Sequence, residues 1–449
     1  MAARVKARAR TQAALAPRPT AKPSGAIALG RAGAGEPRPP FGFGKAQPAP
    51  VARGVITDAS GGHKLTIAPT GAGKGRGSII PTLITYPGAV IVIDPKGENY
   101  HVTARRRRAM GQHVGLIDPF GVTGHQSDSF NPFDLAALVP DAPEDIGRTF
   151  TEVVTGGLTL ARDPFWDNVA GAFIAALITT AITDQPPQNA RLSWIRDLFG
   201  ESDLAYQLAV MLDTKAVRNR DAYQEITIFL NHPERETRPS VQSTAAQHFR
   251  HFGSEAVRRA TDTTTIPLEA LQAGDPLTIY LVLPPDKLAS HRNLLRLWLC
   301  ALLLLLMQRR IIPDLPTLFL IDEAAQLGRL ELLLQAVTLM RGYGLMCWTF
   351  WQDAAQLKSL YPQEWPTLIN NCATLQLFGA RNLKAAEEIA GLVGGIAPET
   401  ILGLAPEEQV LLVPGQRPQL CRRLDYLHDL ELHGLFDPNP YHARRSRRG

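Results

Sequence analysis

The sequence predicts an α/β fold, a mostly parallel sheet interrupted by an all-helical insertion, and three observations predict it. A short apolar strand runs into a glycine-rich loop and a helical start at residues 66–77, TIAPTGAGKGRG. Two further apolar runs of strand length end on acids, GAVIVID at 88–94 and LPTLFLIDE at 315–323. Continuous runs of this kind are strands covered on both faces, the usual condition of a parallel sheet. Between 140 and 265, helix-length segments follow one another and no strand returns until residue 278, so this stretch reads as an insertion.

The elements follow in order. Residues 1–50 hold nine Lys/Arg, one Glu and eight prolines with no apolar period, which predicts a disordered basic arm. From residue 51 the pattern becomes ordered. A strand at 65–68, a helix at 76–85 and a strand at 88–94 make a βαβ unit. A strand at 113–118 follows four consecutive arginines, 105–108. Four in a row cannot share one helical face, so most are expected in solvent, with a phosphate contact as the alternative. Helices are predicted at 140–161, 169–182, 192–199, 202–212, 222–229 and 240–249. The α/β texture resumes with a strand at 278–283, a helix at 291–310, a strand at 315–323 and a helix at 330–341. Strands at 345–350 and 372–378, a helix at 384–392 and a last short strand at 410–413 close it. The organisation is thus a basic arm (1–50), a discontinuous α/β domain (51–139 and 266–440), a helical insertion (140–265) and a basic tail (441–449).

Charge sharpens this division. Residues 1–50 carry +8 and residues 441–449 carry +4, so the +5 of the whole chain leaves −7 for 51–440. Bulk charge therefore argues for no nucleic-acid footprint on the folded part; any such surface is local. Cys300, Cys347, Cys372 and Cys421 form no close pair, which reads as buried thiols in a reducing compartment. The longest apolar runs, 169–182 and 297–307, fall short of the ~20 residues of a membrane span and read as core helices.

The loop at 66–77 has the form of a P-loop. In the loop Pro69-Thr70-Gly71-Ala72-Gly73-Lys74-Gly75, small residues let the consecutive backbone N–H groups from Thr70 onward turn toward a phosphate, the helix N-terminus faces the same anion, and Lys74 adds a charge for the β- and γ-phosphates. Two positions depart from the common pattern. Ala68 stands where the first glycine belongs, and Gly75 where a magnesium-binding hydroxyl belongs. A nucleotide site with bound ATP and Mg2+ also needs a carboxylate near the phosphates and a group to orient the attacking water. Asp322, at a strand end, suits the metal, and Glu323, one step into the loop, suits the water. Gln352 ends the next strand, on the edge where a polar side chain senses the γ-phosphate. Arg341, ahead of that strand, is the candidate arginine finger, Arg381 the alternative, and the residues do not choose between cis and trans action. Asp94 and Lys96 are secondary candidates.

Taken together, these segments resemble the coupling-protein ATPases of conjugation and type IV secretion. The resemblance is carried by APTGAGKGRGSIIPTLITYPGAVIVIDPKGENY, DSFNPFDL, DPFWDNVAGAF, IYLVLPPDKLASHRNLLRLWL, LFLIDEAAQLGRL, RGYGLMCWTFWQDAAQLKSLY and INNCATLQLFGA, over roughly residues 60–430. It implies a RecA-like motor with a helical substrate-recognition insertion, assembling as a homo-hexamer on the cytoplasmic face of the bacterial inner membrane. It also implies DNA with a relaxase, or secreted proteins, as cargo, and components of a type IV secretion channel as partners. Lys74 would meet phosphate, Asp322 magnesium, Glu323 water, with Gln352 as sensor and Arg341 as finger. Gly after the P-loop lysine is itself usual in that family. The family's N-terminal membrane helices have no counterpart in 1–50, so peripheral membrane placement is expected. Two other readings stand beside this one: a docking receptor with a nucleotide-gated or inactive core, and a double-stranded DNA pump.

Overall fold

Residues His63–Ile67, Val90–Ile93, Leu277–Leu281, Thr317–Ile321 and Leu345–Trp351 are buried at every position, as strands covered on both faces must be. In the computed structural model, which describes residues 25–33, 54–156, 164–186 and 188–441, they belong to one eleven-stranded sheet. Its strands are β1 (Ile27–Arg31), β2 (Val55–Asp58), β3 (His63–Ile67), β4 (Val90–Ile93), β5 (His113–Ile117), β6 (Leu277–Leu281), β7 (Thr317–Ile321), β8 (Leu345–Trp351), β9 (Cys372–Leu377), β10 (Glu408–Leu412) and β11 (Gln419–Arg422). Their order is β2-β1-β11-β10-β9-β3-β8-β7-β4-β6-β5. From β9 to β5 all neighbours are parallel. The four strands at the other edge join antiparallel.

Helices Ile80–Thr85 and Glu98–Ala109 cover one face, where Leu83, Tyr100, Val92 and Trp348 share a core. On the other face, helix Pro285–Met307 packs with Ile91, Phe319 and the inserted helices. Seven helices between Pro143 and Thr261 separate β5 from β6, so the predicted all-helical insertion is present. It shares its core with the sheet; Phe173 and Phe229 stack at 3.9 Å within it. Expected helix residues 157–161 lie outside the described residues.

Several expectations are corrected. The arm predicted over 1–50 contains β1, whose Ile27 and Leu29 are buried between β2 and β11. Five residues in a Pro- and Ala-rich context carry no local period; the pairing comes from β2, the next strand in the chain, and from β11, nearly 400 positions away. Residues 1–24, 34–50 and 442–449 lie outside the described residues. The strand at 410–413 is not the last, since β11 returns antiparallel to it. Helices Pro164–Thr183 and Pro285–Met307, at 20 and 23 residues, exceed the apolar runs that suggested them. Polar and proline residues extend each at its N-terminus. By length and composition both pass the test for a membrane span, and half or more of each apolar window is buried inside the protein.

The arginine run is also corrected at one position. Arg105 and Arg108 are exposed, but Arg107 is fully buried. Its guanidinium donates to the carbonyls of Leu83 (3.1 Å) and Gly88 (2.8 Å), to that of Tyr86, and to Gln112 Oε1 (2.6 Å) and Thr278 Oγ1 (2.7 Å). All five donors of one side chain are thus used, three of them on the turn between the helix after the P-loop and β4. Burial pushes its pKa down to about 10, so it stays charged at neutral pH. Arg107→Ala leaves these buried acceptors unpaired, at about 1–3 kcal/mol each for those that water does not reach. We expect a loss of at least ~3 kcal/mol in urea unfolding, with Arg105→Ala as a near-neutral control.

Candidate active site

Parallel register builds the site. Ile67 lies opposite Trp351, Ile321 opposite Thr349, and Ile93 opposite Ile321. The chain therefore leaves β3 into Ala68, β8 into Gln352, β7 into Asp322 and β4 into Asp94 along one edge of the sheet. At that edge side chains with no sequence proximity are brought together.

Ala68 is buried and its N–H donates to Trp351 O at 2.8 Å, which binds the start of the loop to β8. Gly71 and Gly73 have φ of +79° and +84°, conformations that a side chain would strain. Gly75 differs: its φ is ordinary, and an added Cβ would meet nothing within 4 Å. The absent hydroxyl there is thus a matter of chemistry and not of space. After Lys74 the backbone winds through a π-type turn (Gly75–Ile79) into helix Ile80–Thr85, so the amides of the first turn face the loop.

Lys74 Nζ lies 2.8 Å from Asp322 Oδ1 and forms a second, closer ion pair with Glu323 Oε1. Gln352 Nε2 donates to Glu323 Oε2 at 2.9 Å. The four candidate residues Lys74, Asp322, Glu323 and Gln352 thus form one connected set. Glu323 is one of only two non-glycine residues with positive φ among the described residues (φ 59°, ψ 56°). That conformation costs about 1–2 kcal/mol, and outliers of this type collect at functional sites. Burial raises the pKa of Asp322 and the Lys74 charge opposes that shift. Burial likewise works against the Lys74 charge, but the two carboxylates outweigh it and its pKa is raised. Asp322 Oδ1 is buried and accepts no well-aligned hydrogen bond, although it faces Lys74. An acidic oxygen left in that state suits a hard cation.

Asp94 is 1% exposed; its carboxylate accepts from Tyr100 N at 2.9 Å. Lys96 is exposed, and both residues line the cavity of about 570 Å³ that holds Lys74, Asp322, Glu323 and Gln352. A second cavity on the other side of the loop is lined by Thr70, Arg76, Phe378, Arg381, Glu407 and Arg423. The two share the loop glycines Gly71 and Gly73. Such a pair of chambers, apolar on one side and ionic on the other, fits a ligand with a planar body and a polyanionic tail.

The two arginine candidates separate. Arg341 donates to Ser60 O at 3.2 Å and belongs to the edge where β3 and β8 begin. The seven-residue β8 puts it roughly 20 Å from the P-loop of its own chain. Arg381, in contrast, donates to Thr70 O of its own P-loop. Two further residues at the loop escaped the sequence reading. Arg423 donates to Ala72 O and lies 4.5 Å over the Phe378 ring; Arg76 pairs with Asp425. They lie on or face the segment after β11, and no motif marks CRRLDY as part of a site.

The fold and site define a P-loop NTPase of the α/β class with a helical insertion. Residues 34–397 match the family model described as type IV secretory system conjugative DNA transfer, and the chain belongs to that family. It is 27% identical over 429 residues to Protein VirD4 of Rhizobium radiobacter, covering 85% of this chain and 59% of that one. To the conjugal transfer protein TraG of Escherichia coli it is 25% identical over 354 residues, covering 74% and 55%. The chain thus spans less than two thirds of the length of these curated relatives. Among solved structures, the conjugative coupling protein TrwB lacking its N-terminal segment, in complex with sulphate, matches with a TM-score of 0.62 at 15% identity, covering 80% of this chain and 85% of that one. VirB4 of Thermoanaerobacter pseudethanolicus matches with a TM-score of 0.52 at 14% identity, covering 84% and 90%. These two likenesses concern the fold, RecA-like in its parallel core.

Burial raises the Asp94 pKa to about 7, and the carboxylate of Asp322 adds to the shift. Between about pH 4 and pH 7 the native state then holds a proton that the unfolded chain releases, so stability falls as pH rises through that window and levels above it. Asp94→Asn should flatten this slope in the nucleotide-free protein, by up to ~4 kcal/mol across the window. Urea midpoints at pH 5 and pH 8 check it; equal slopes in wild type and variant would contradict it.

Proposed function

We propose that this chain is the ATP-hydrolysing motor of a conjugative DNA-transfer coupling protein, passing a relaxase–DNA or protein substrate to a type IV secretion channel. The observation that carries the reading is the ion-paired set of Lys74, Asp322, Glu323 and Gln352 at the end of a P-loop, in a chain of the conjugative DNA transfer family. TrwB has been solved with ADPNP and with ADP and Mg2+, which supports nucleotide and metal as ligands of this fold.

In this reading the amides of residues 70–75, after Pro69, and the Lys74 side chain receive the phosphates. Asp322 holds Mg2+, which offsets phosphate charge when bound. Gly75 offers no hydroxyl, so Asp322 is the protein's one ligand in that loop pair, and metal affinity depends on bound nucleotide. Lys74 exchanges Glu323 for phosphate oxygens, and this frees the Glu323 carboxylate to take a proton from water. Gln352, already on Glu323, reports whether that exchange has happened. Arg341 cannot reach its own P-loop, so it serves a neighbour's site, which requires the active form to be a ring, a homo-hexamer in this reading. The helical insertion receives cargo, and the motor sits on the cytoplasmic side of the inner membrane.

ATP turnover with and without single-stranded DNA tests the roles. Lys74→Ala and Glu323→Gln should each lower kcat by about 100-fold or more, and unchanged turnover overturns the assignment. The neighbour-site role of Arg341 has its own test. Arg341→Ala and Lys74→Ala, each nearly inactive alone, should regain measurable turnover when mixed and co-assembled, because some interfaces then pair an intact Lys74 with an intact Arg341. Mixtures as inactive as the parents would rule that role out.

A further inference from the structure

Two arginines of the segment IYLVLPPDKLASHRNLLRLWL have no hydrogen-bond or ion-pair partner among the described residues. Arg292 and Arg296 stand one turn apart on helix Pro285–Met307, just after the helix breaks at His291 (φ −114°, ψ 17°). At that spacing their side chains leave the same helical face. Arg296 is 7% exposed, and its Nε is buried without a hydrogen-bond partner; the same holds for Arg292 Nε. Among the described residues no carboxylate pairs with either. The two other buried arginines, Arg107 and Arg309, spend their donors on carbonyls and hydroxyls, whereas the half-buried Arg191, Arg196 and Arg238 share an unpartnered Nε. Burial and the neighbouring Arg292 charge both push the Arg296 pKa down. Two like charges held side by side, one of them buried, are costly to the folded protein unless an anion joins them.

Two glycines border the pair. Arg292 faces Gly328 and Arg296 faces Gly156, and neither glycine puts a side chain in the way. Gly156, exposed and at φ +88°, ends the first inserted helix (Pro143–Thr155). Gly328, at φ +67°, ends the 3-10 turn Ala324–Leu327 that begins at Glu323. The pair therefore sits where the insertion, helix Pro285–Met307 and the loop of the strained glutamate meet. Tethering to helix Pro285–Met307 is tight there, since Asn293 Nδ2 donates to Val154 O at 2.6 Å.

We infer that Arg292 and Arg296 form a binding site for a backbone phosphate of DNA, placed against the turn that carries Glu323. Two guanidinium groups with unused N–H donors suit a phosphodiester, which offers two non-bridging oxygens and one diffuse charge, better than they suit a single carboxylate. A phosphate drawn between them lies against Gly328, five residues from Glu323. Reseating that turn shifts the Glu323 backbone out of the geometry that holds its carboxylate on Lys74. This supplies a physical route from cargo to hydrolysis. It rests on the proposed DNA-transfer function, and it names the residues through which DNA would act.

The test uses the full chain and fluorescein-labelled single-stranded DNA. Arg292→Gln with Arg296→Met should weaken binding and reduce the slope of log affinity against log salt by about 1 to 2. Basal ATP turnover should persist while its DNA stimulation is lost. Thermal unfolding of Arg296→Met without DNA keeps the inference falsifiable should binding fail for trivial reasons. An arginine kept for ligand binding gives a variant as stable as wild type or more so, whereas one needed for folding gives a clear loss. Unchanged affinity and salt slope in the double variant, with wild type binding DNA, overturns this site alone. Wild type that hydrolyses ATP but binds no DNA overturns the cargo reading and the site with it. A poly-glutamate peptide that binds the wild type at these arginines while DNA does not would overturn it in favour of an acidic protein partner.

Discussion

The ion pair between Lys74 and the two acids Asp322 and Glu323 is the interaction on which the rest of the molecule depends. It joins the helix after β3 to the end of β7, across β8, and it gathers the charge of the site in one place. Burial works against the charge of Lys74 and of Asp322 alike, so each of these two depends on an opposite charge beside it. Held together they leave Glu323 occupied and Lys74 satisfied, so the site without ligand is closed on itself. A polyanion that competes for Lys74 changes every one of these contacts at once. For the proposed motor, this is what links binding to the readiness of Glu323.

Around that pair the sheet acts as a ruler. Parallel register brings Ala68, Asp94, Asp322 and Gln352 to one edge and sends Arg341 to the other. A protein with its phosphate loop on one edge and its candidate finger on the opposite edge is suited to head-to-tail assembly, in which one copy's start-of-strand edge meets the next copy's loop. The antiparallel strands add a different kind of link. β1 pairs with β11, Arg31 pairs with Asp429, Asp429 accepts from the Asp425 amide, and Asp425 holds Arg76 beside the P-loop. The first strand of the chain and the glycine-rich loop are thus joined through the segment after β11.

Legibility in the sequence varied with locality. The strands flanking the P-loop, the acids after β7 and the helical insertion all announce themselves in a window of ten to twenty residues, because burial on both faces leaves an unbroken apolar run. Arg107 was hidden for the opposite reason. Nothing in RRRR says which of four arginines meets the carbonyls of Leu83, Tyr86 and Gly88, since those acceptors are supplied by a turn some twenty residues earlier. β1 was hidden because its apolar residues are few and one of its two pairing partners, β11, is distant in the chain.

Sequence alone determined the α/β class, the βαβ unit around Lys74 and the helical insertion, and it named Lys74, Asp322, Glu323 and Gln352 as candidates, since each depends on local pattern and residue chemistry. Tertiary structure alone decided that these four meet, that Arg341 stands on the far edge while Arg381 and Arg423 clasp the loop, and that Arg292 and Arg296 are left without partners. Those facts depend on strand order and on the distance across a sheet, which a linear pattern does not encode. A motif names the groups able to act, and the register of eleven strands decides which of them are close enough to do so.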